Sequence, residues 1–275
     1  MINFLGLYLF ILLVSTLAGP IYGQATKLER AAAIQLGSRT ARGGFRNETE
    51  IAAKFNNWRV DAEARIWLSA MNYTLADIEN VLTAKPHGEK ADVQVRVKTK
   101  FGEFIEGMSI KLVSSPNGFN QIDKRWLATY SRMWKMPADV SRALRYFAGE
   151  LPPTAVGRDA KRMYLTELDA ATQQRVVDFF KANKDRVVSD ILKGDGVFAA
   201  GWMLVAWKPA DKPRWMLRKI DDVIAFYKTG PVVITRNGNL KIGRVTMQRK
   251  GGDAGRETAK MLQFKINPAE LFEAK

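Results

Sequence analysis

The chain has 275 residues, enough for one large domain or two small ones with a substantial hydrophobic core. It contains no cysteine and one histidine, which excludes disulfide frameworks, cysteine nucleophiles, thiolate zinc sites and two-histidine metal sites. Lysines and arginines number 43 against 28 aspartates and glutamates, so the formal net charge is +15. This excess predicts a polyanionic partner, either nucleic acid or an anionic surface.

Residues 1–25 form an almost wholly apolar segment that contains no lysine or arginine. Three interpretations remain open: a signal peptide or membrane anchor, a translated stretch upstream of the true start codon, and a structural helix. The missing positive charges weaken the first interpretation, because signal peptides begin with a basic region. We expect 1–25 to be a dispensable leader, 26–275 to form one domain, and the protein to be cytoplasmic rather than bound to a membrane.

Residues 26–84 have helical periodicity. A basic amphipathic stretch ends at Gly37 and a loop follows it, after which Asn47 can cap a second helix. Further helices are predicted over about 61–71 and from Thr74 onward, where an acidic residue three positions later resembles a capping box. The single histidine lies just beyond, in a polar turn.

The period changes from helical to alternating at about residue 91. Val93, Val95 and Val97 alternate with polar residues, a turn follows at Gly102, and 105–113 read as a second strand. This pattern predicts a β-hairpin.

The second half mixes both periods. Two helices are predicted within 121–147, a long amphipathic run within 169–194, a strand over 197–207 and a short helix over 221–227. Two strands should flank the Asn237-Gly238 turn. The expected architecture is α/β: a single domain with a mixed central β-sheet flanked by helices.

Three side chains of the hairpin could carry chemistry. Ser109 and Lys111 are two positions apart on one strand, so both point to the same face, and Asp92 begins the partner strand. The Asp92 carboxylate and the Ile110 carbonyl are the oxygen ligands that Mg²⁺ prefers, and a neighbouring lysine suits phosphodiester hydrolysis. The alternative is a half-solvated sheet face with a loose Asp–Lys contact, because this pattern is common.

Several longer runs make the sequence resemble a HinP-type type II restriction endonuclease. The resemblance extends from about Leu36 to Phe272 and is more specific than the three hairpin residues. The runs are GSRTA (37–41), GFRNE (44–48), IKLVS (110–114), GFNQIDKRWL (118–127), GELPP (149–153), QRKGGD (248–253), GRETA (255–259) and MLQFKI (261–266).

This resemblance implies a PD-(D/E)XK nuclease core. It also implies Mg²⁺-dependent hydrolysis of double-stranded DNA at the palindrome GCGC, with the cut after the first G. The enzyme would belong to a restriction–modification system, with a cognate methyltransferase as functional partner and a homodimer as a possible assembly.

The same resemblance assigns roles to residues of the site. Asp92 matches the metal-binding aspartate and Lys111 the catalytic lysine, while Ser109 stands where the family has glutamine. Glu48 matches a helix glutamate that can approach the metal; its alternative role is a charge at a helix N-terminus. The predicted catalytic residues are therefore Asp92, Ser109, Lys111 and Glu48, and the predicted metal ligands are Asp92, Ser109 and the carbonyl of Ile110.

Two segments are candidates for DNA recognition. The first, 118–125, is expected to be a loop and helix start, where Phe119 could wedge between base pairs or be a core residue at a turn. The second is the glycine-rich tail, whose alternative is a solvated charged loop. The predicted base-contacting residues are Asn120, Gln121 and Lys124 in the first segment and Gln248, Arg249, Lys250 and Arg256 in the second.

Two rival functions remain open. Ser109 supports a catalytically weakened or inactive DNA-binding relative, because a hydroxyl is a poorer metal ligand than a carboxylate. Residues 1–25 alone support an exported or membrane-anchored basic protein.

Overall fold

The computed structural model describes residues 27–86, 88–208, 213–251 and 256–273. Residues 1–25 and His87 lie outside the described residues, so the leader and turn predictions made for them stay predictions. Among the described helices, none is both long enough and apolar enough to span a bilayer.

Strands and helices are both numerous in the described residues. The strands are β1 (Ile78–Ala84), β2 (Val93–Thr99), β3 (Gly102–Val113), β4 (Asn120–Arg125), β5 (Trp202–Trp207), β6 (Arg214–Lys219), β7 (Val232–Ile234), β8 (Leu240–Ile242), β9 (Val245–Arg249) and β10 (Leu262–Ile266). The helices are α1 (Lys27–Asn56), α2 (Ala62–Ala70), α3 (Leu127–Met133), α4 (Ala138–Ala148), α5 (Ala170–Ala182), α6 (Lys184–Leu192) and α7 (Ile220–Tyr227).

The strands form two five-stranded sheets. The first sheet has the order β1-β2-β3-β5-β6 and is mixed, because β3 and β5 run parallel while the other pairs are antiparallel. The second sheet has the order β4-β10-β9-β8-β7 and is antiparallel throughout. The predicted α/β class is confirmed, with the β structure divided between two sheets.

Two hydrophobic cores lie on opposite faces of the first sheet. On one face, α1 and α2 bury Phe55 and Trp67, whose ring centroids are 5.2 Å apart, against β2 and β3. On the other face, Met203 and Val205 of β5 share a core with Phe264 of β10 and with the helices α3 to α7. This second core holds the two sheets together.

Several elements agree with the local patterns that predicted them. The hairpin of β2 and β3 is present, and Val93, Val95 and Val97 are fully buried. Asp61 caps α2 by accepting from a backbone N–H, and Asp169 caps α5 in the same way.

The first helical region differs from its prediction in two ways. Helix α1 runs without a break through 37–44, where a loop was expected, so Asn47 is inside the helix and not at its cap. The stretch after Thr74 is a short 3₁₀ turn followed by β1, because 78–84 pair with β2 and place Ile78 and Val81 in the core. Tertiary pairing overrides the capping-box pattern here.

Two further boundaries were wrong. Residues 120–125 form strand β4 where a loop and helix start were expected, and helix α3 begins only at Leu127. The apolar run 197–207 becomes a strand only from Trp202, since its first residues form a 3₁₀ turn.

Candidate active site and DNA interface

Asp92 stands directly before β2 and is fixed against β3. Its backbone N–H donates to the Met108 carbonyl at 2.9 Å, and its Oδ2 accepts from the Ile110 N–H at 2.6 Å. Asp92 thus extends the hydrogen bonding between β2 and β3 by one residue before β2 begins, with its carboxylate accepting from the backbone of β3. Its position is set by the backbone of the sheet and not by a flexible loop.

Ser109 and Lys111 meet Asp92 as their two-residue spacing predicts. The Lys111 Nζ donates to Asp92 Oδ2 at 3.1 Å and to the Ile110 carbonyl oxygen at 2.9 Å. The Ser109 Oγ donates to the same Oδ2 at 3.3 Å. Ser109 is buried, whereas the Asp92 side chain keeps 26% of its surface exposed, so the carboxylate stays accessible from solvent.

Glu48 reaches this cluster from α1. Burial raises the pKa of the Glu48 carboxyl, and the negative charge of Asp92 raises it further, while Lys85 and Lys111 oppose this shift. Its Oε2 pairs with the Lys85 Nζ at 3.3 Å. Since Glu48 lies far inside a helix that begins at Lys27, its alternative role as a helix N-terminal charge is wrong.

The oxygen atoms of the cluster fit a hard divalent cation. Asp92 Oδ2 and the Ile110 carbonyl oxygen converge on one positive charge, the Lys111 ammonium. Among the described residues Asp92 Oδ1 accepts no hydrogen bond, and the Glu48 carboxylate is near enough to repel Asp92, a repulsion that a cation would relieve. The described residues contain no group of three or more histidines, aspartates or glutamates that could hold a metal, so carbonyl oxygen and water would complete any such site.

A buried ion pair that the sequence pattern did not predict lies behind the site. The Lys90 Nζ, two residues before Asp92, donates to Asp123 Oδ2 at 2.8 Å and to the Ile122 carbonyl at 2.9 Å. Asp123 in β4 is almost fully buried and also accepts from Arg125 and Tyr130. This pair joins the segment that precedes Asp92 to the second sheet. Lys90 lies in a polar run of the sequence, which gave no sign of burial.

The first DNA-recognition segment projects from the start of β4. Phe119 is 56% exposed, which excludes its alternative role as a core residue. Gln121 is exposed, whereas Asn120 and Lys124 are half-buried. These side chains are presented by a strand whose register shifts between Gln121 and Asp123, so their spacing departs from the two-residue alternation of a regular sheet.

The second segment lies in the same sheet. Gln248 and Arg249 end β9, Lys250 follows with its N–H donated to the Met261 carbonyl, and Arg256 is exposed at the start of a 3₁₀ turn. The glycines at 252 and 255 lie outside the described residues. Strand β10 lies between β4 and β9 and joins the two recognition segments into one surface.

Comparison with known proteins agrees with this architecture. Residues 71–272 match the family model described as R.HinP1I restriction endonuclease. The fold is similar to that of the restriction endonuclease MspI, solved in complex with its cognate DNA, with a TM-score of 0.60 and 14% identity over 88% of this chain and 100% of that chain. No curated protein matched the chain.

The family match covers most of the chain and includes the whole hairpin that bears Asp92, Ser109 and Lys111, while the structural likeness supports the fold. The chain therefore belongs to the R.HinP1I restriction endonuclease family of type II site-specific DNA nucleases.

Proposed function

We propose that this protein cleaves double-stranded DNA at the palindrome GCGC, after the first G, by Mg²⁺-dependent hydrolysis. The observation that carries the proposal is the convergence of Asp92 Oδ2, the Ile110 carbonyl and the Lys111 ammonium within 3.1 Å at one end of the β2–β3 hairpin. The enzyme would act in the cytoplasm within a restriction–modification system, alongside a methyltransferase that protects the same sites.

The proposed metal ligands are Asp92, the Ile110 carbonyl and Glu48, with Ser109 as a weaker candidate. When bound, Mg²⁺ would supply a water of lowered pKa and stabilise the charge that develops on the phosphate oxygens. Ile110 N–H and Ser109 Oγ hold Oδ2 of Asp92, so these donors fix the direction in which its free oxygen points.

Lys111 would act on the attacking water and the phosphate. Its ammonium is mostly buried and already anchored by two oxygens, so it needs little reorganisation to orient the water or to neutralise the added negative charge. The water oxygen bonds to phosphorus and the bond to the 3′ oxygen breaks, which leaves a 5′-phosphate and a 3′-hydroxyl.

Duplex DNA would lie across the second sheet. The net charge of +15 supports phosphate contacts, and the exposed ring of Phe119 supports insertion between base pairs. A palindromic target also favours a twofold-symmetric dimer.

Digestion of a sequenced plasmid tests the proposal. We expect wild-type protein with MgCl₂ to give fragments whose mapped ends lie at GCGC with two-nucleotide 5′ overhangs, and EDTA to abolish the cutting. Ends at another sequence would reject GCGC as the target.

Retarded DNA without cutting would favour an inactive DNA-binding relative. The observation behind this second candidate is Ser109, whose buried hydroxyl donates to Asp92 where the family pattern has a glutamine amide.

A further inference from the structure

Strand β4 contains an irregularity between two of the side chains proposed to meet DNA. Consecutive residues of β10 pair with Gln121 and with Asp123, so Ile122 is an extra residue without a partner in this ladder. One extra residue reverses the alternation of the side chains that follow it. Gln121 and Lys124 therefore share the outer face of the second sheet, away from the core, although three positions separate them, while Asp123 points inward and is buried.

Lys90 holds this bulge from inside the protein. Its Nζ donates to the Ile122 carbonyl oxygen at 2.9 Å, to Asp123 Oδ2 at 2.8 Å and to the Ile191 carbonyl oxygen in the last turn of α6. Only 11% of the Lys90 side chain and 4% of the Asp123 side chain are exposed. An ammonium has three donors, and all three are used, so it cannot turn away without leaving a buried acceptor unpaired. The geometry of the bulge therefore depends on Lys90.

The chain between Lys90 and Asp92 is held as firmly as the ammonium. Gly194 packs so closely on the stem of Lys90 that a Cβ at Gly194 would lie 2.9 Å from the Lys90 Cβ. The N–H groups of Ala91 and Asp92 then donate to backbone carbonyls at 3.0 and 2.9 Å. With each residue fixed in this way, a displacement of the Lys90 ammonium reaches the Asp92 carboxylate and is not absorbed by a loose loop.

The placement of this ion pair distinguishes positioning from simple stabilisation. A buried ion pair contributes little net stability, because the cost of desolvation offsets most of the attraction. What the pair of Lys90 and Asp123 supplies is a fixed connection between two defined points. One end grips the bulge between Gln121 and Lys124, and the other lies two residues before Asp92.

We propose that Lys90 is a positioning residue that couples recognition of DNA at β4 to the placement of Asp92. When the correct base pairs seat against Gln121 and Lys124, the bulge is fixed, and Lys90 transmits that order to the segment that carries Asp92. This inference rests on the proposed function, since it requires that duplex DNA lies across the second sheet. Removal of Lys90 should uncouple the two regions while leaving the residues of each in place.

Amide hydrogen exchange of the full-length wild-type protein, read by mass spectrometry with and without a short duplex, tests the coupling. The duplex contains the sequence that plasmid digestion maps, or GCGC if the protein cuts nothing, and EDTA replaces Mg²⁺ so that the duplex stays intact. We expect the duplex to slow exchange in 121–124 and to slow it about two- to thirtyfold in peptides covering Ala91 and Asp92. A duplex of unrelated sequence should leave Ala91 and Asp92 unchanged.

Lys90→Met isolates the connection, because methionine keeps the length of the side chain but has no donor. In this variant the duplex should still slow exchange in 121–124 and should no longer slow it at Ala91 and Asp92. Lys54→Met is the matched control, since Lys54 is also mostly buried and bridges two carboxylates, but on the α1–α2 side of the first sheet. It should respond to the duplex as the wild type does.

Cleavage provides a second readout. Single-turnover rates at saturating Mg²⁺ are compared for the target duplex and for a duplex in which one base pair of the target is changed. We expect Lys90→Met to lower the ratio of the two rates about two- to thirtyfold, because the correct base pairs no longer position Asp92. A lysine with a merely structural role would slow both reactions alike and leave the ratio unchanged.

The outcomes separate the coupling from the proposed function. Circular dichroism melting identifies a variant that fails to fold, and Lys90→Gln then replaces Lys90→Met, since its amide can donate to a carbonyl but offers no charge to Asp123. If the wild type shows no slowing at Ala91 and Asp92, or if the variant retains it as direct contact with DNA would require, the inference is wrong. A protein that transmits the protection but cuts no DNA rejects the proposed cleavage and supports the coupling. A protein that binds no duplex rejects both.

Discussion

The candidate active site at the end of the first sheet and the outer face of the second sheet differ in how their charges are balanced. At the candidate active site, Asp92 pairs with Lys111 at 3.1 Å and Glu48 pairs with Lys85 at 3.3 Å. Beside the second sheet, Arg162 and Arg249 share the Asp159 carboxylate. Within the described residues, Lys265 forms no ion pair with a carboxylate. The first region is held in place by its own ion pairs, whereas the second has more cationic side chains than carboxylates among the described residues.

Under the proposed function, this difference matches the two tasks of a site-specific nuclease, which are cleavage and sequence recognition. Chemistry requires groups held in place before the substrate arrives, because reorganisation adds to the barrier. Recognition requires donors that gain more from the correct base pair than from the protein or from water. The following changes separate the two regions, beginning with the largest expected effect.

Asp92→Ala should lower the cleavage rate by at least about 10³-fold, because the carboxylate that would hold the cation is lost. The dissociation constant for duplex DNA should change less than tenfold, since the second sheet is untouched. Plasmid digestion and fluorescence anisotropy measure the two quantities. Asp77→Ala is the control, as that carboxylate pairs with Lys100 away from the site and should leave both unchanged. Retained cleavage by Asp92→Ala would reject the site assignment.

Asp123→Asn should lower the unfolding free energy of the protein, because Asp123 connects the segment before Asp92 to the second sheet. Loss of its charge leaves Lys90 and Arg125 without their counter-ion, and an uncompensated buried charge costs about 3–5 kcal/mol of unfolding free energy. Urea denaturation monitored by tryptophan fluorescence gives the change.

The exposed pair of Arg96 and Glu103 supplies the comparison for Asp123. Glu103→Gln should cost less than about 1 kcal/mol. Equal losses of unfolding free energy in the two variants would show that the buried pair of Lys90 and Asp123 stabilises the protein no more than an exposed pair does.

Phe119→Ala should weaken binding to the target duplex by about tenfold while leaving the melting temperature unchanged. The ring is 56% exposed, so it adds little to the core, but a side chain stacked on a base contributes about 1–3 kcal/mol. Phe101→Ala is the control, because Phe101 is also exposed but lies at the tip of the β2–β3 hairpin. A fall in melting temperature for Phe119→Ala would indicate a structural role instead.

Ser109→Gln is expected to give the smallest effect, with activity equal to or higher than that of the wild type. It introduces an amide oxygen, which is a better ligand for Mg²⁺ than a hydroxyl. Single-turnover cleavage over a range of Mg²⁺ concentrations should show a lower half-saturating concentration. A large loss of activity at saturating Mg²⁺ would show that the hydroxyl bonded to Asp92 has a separate function.

Parts of the candidate site were predictable because local patterns in the sequence, strand alternation and hairpin pairing, determine where those side chains lie. The alternation of β3 alone puts Ser109 and Lys111 on one face, and hairpin pairing brings Asp92 to them. Glu48 was suggested by family resemblance and not by pattern, because its approach depends on how α1 packs on the sheet. Asn47 illustrates the limit: it reads as a helix cap, yet it is buried inside α1 with no partner for its amide among the described residues.

The sequence by itself determined the charge, the hairpin and the spacing of the three hairpin residues, since turn chemistry and side-chain periodicity act over a few positions. The tertiary structure decided the rest: that α1 is continuous, that 120–125 form a strand, and that β10 joins the two candidate DNA-recognition segments. These features depend on strands far apart in the chain pairing over one shared core. The free energy of that core exceeds local preferences, and no short window of sequence contains it.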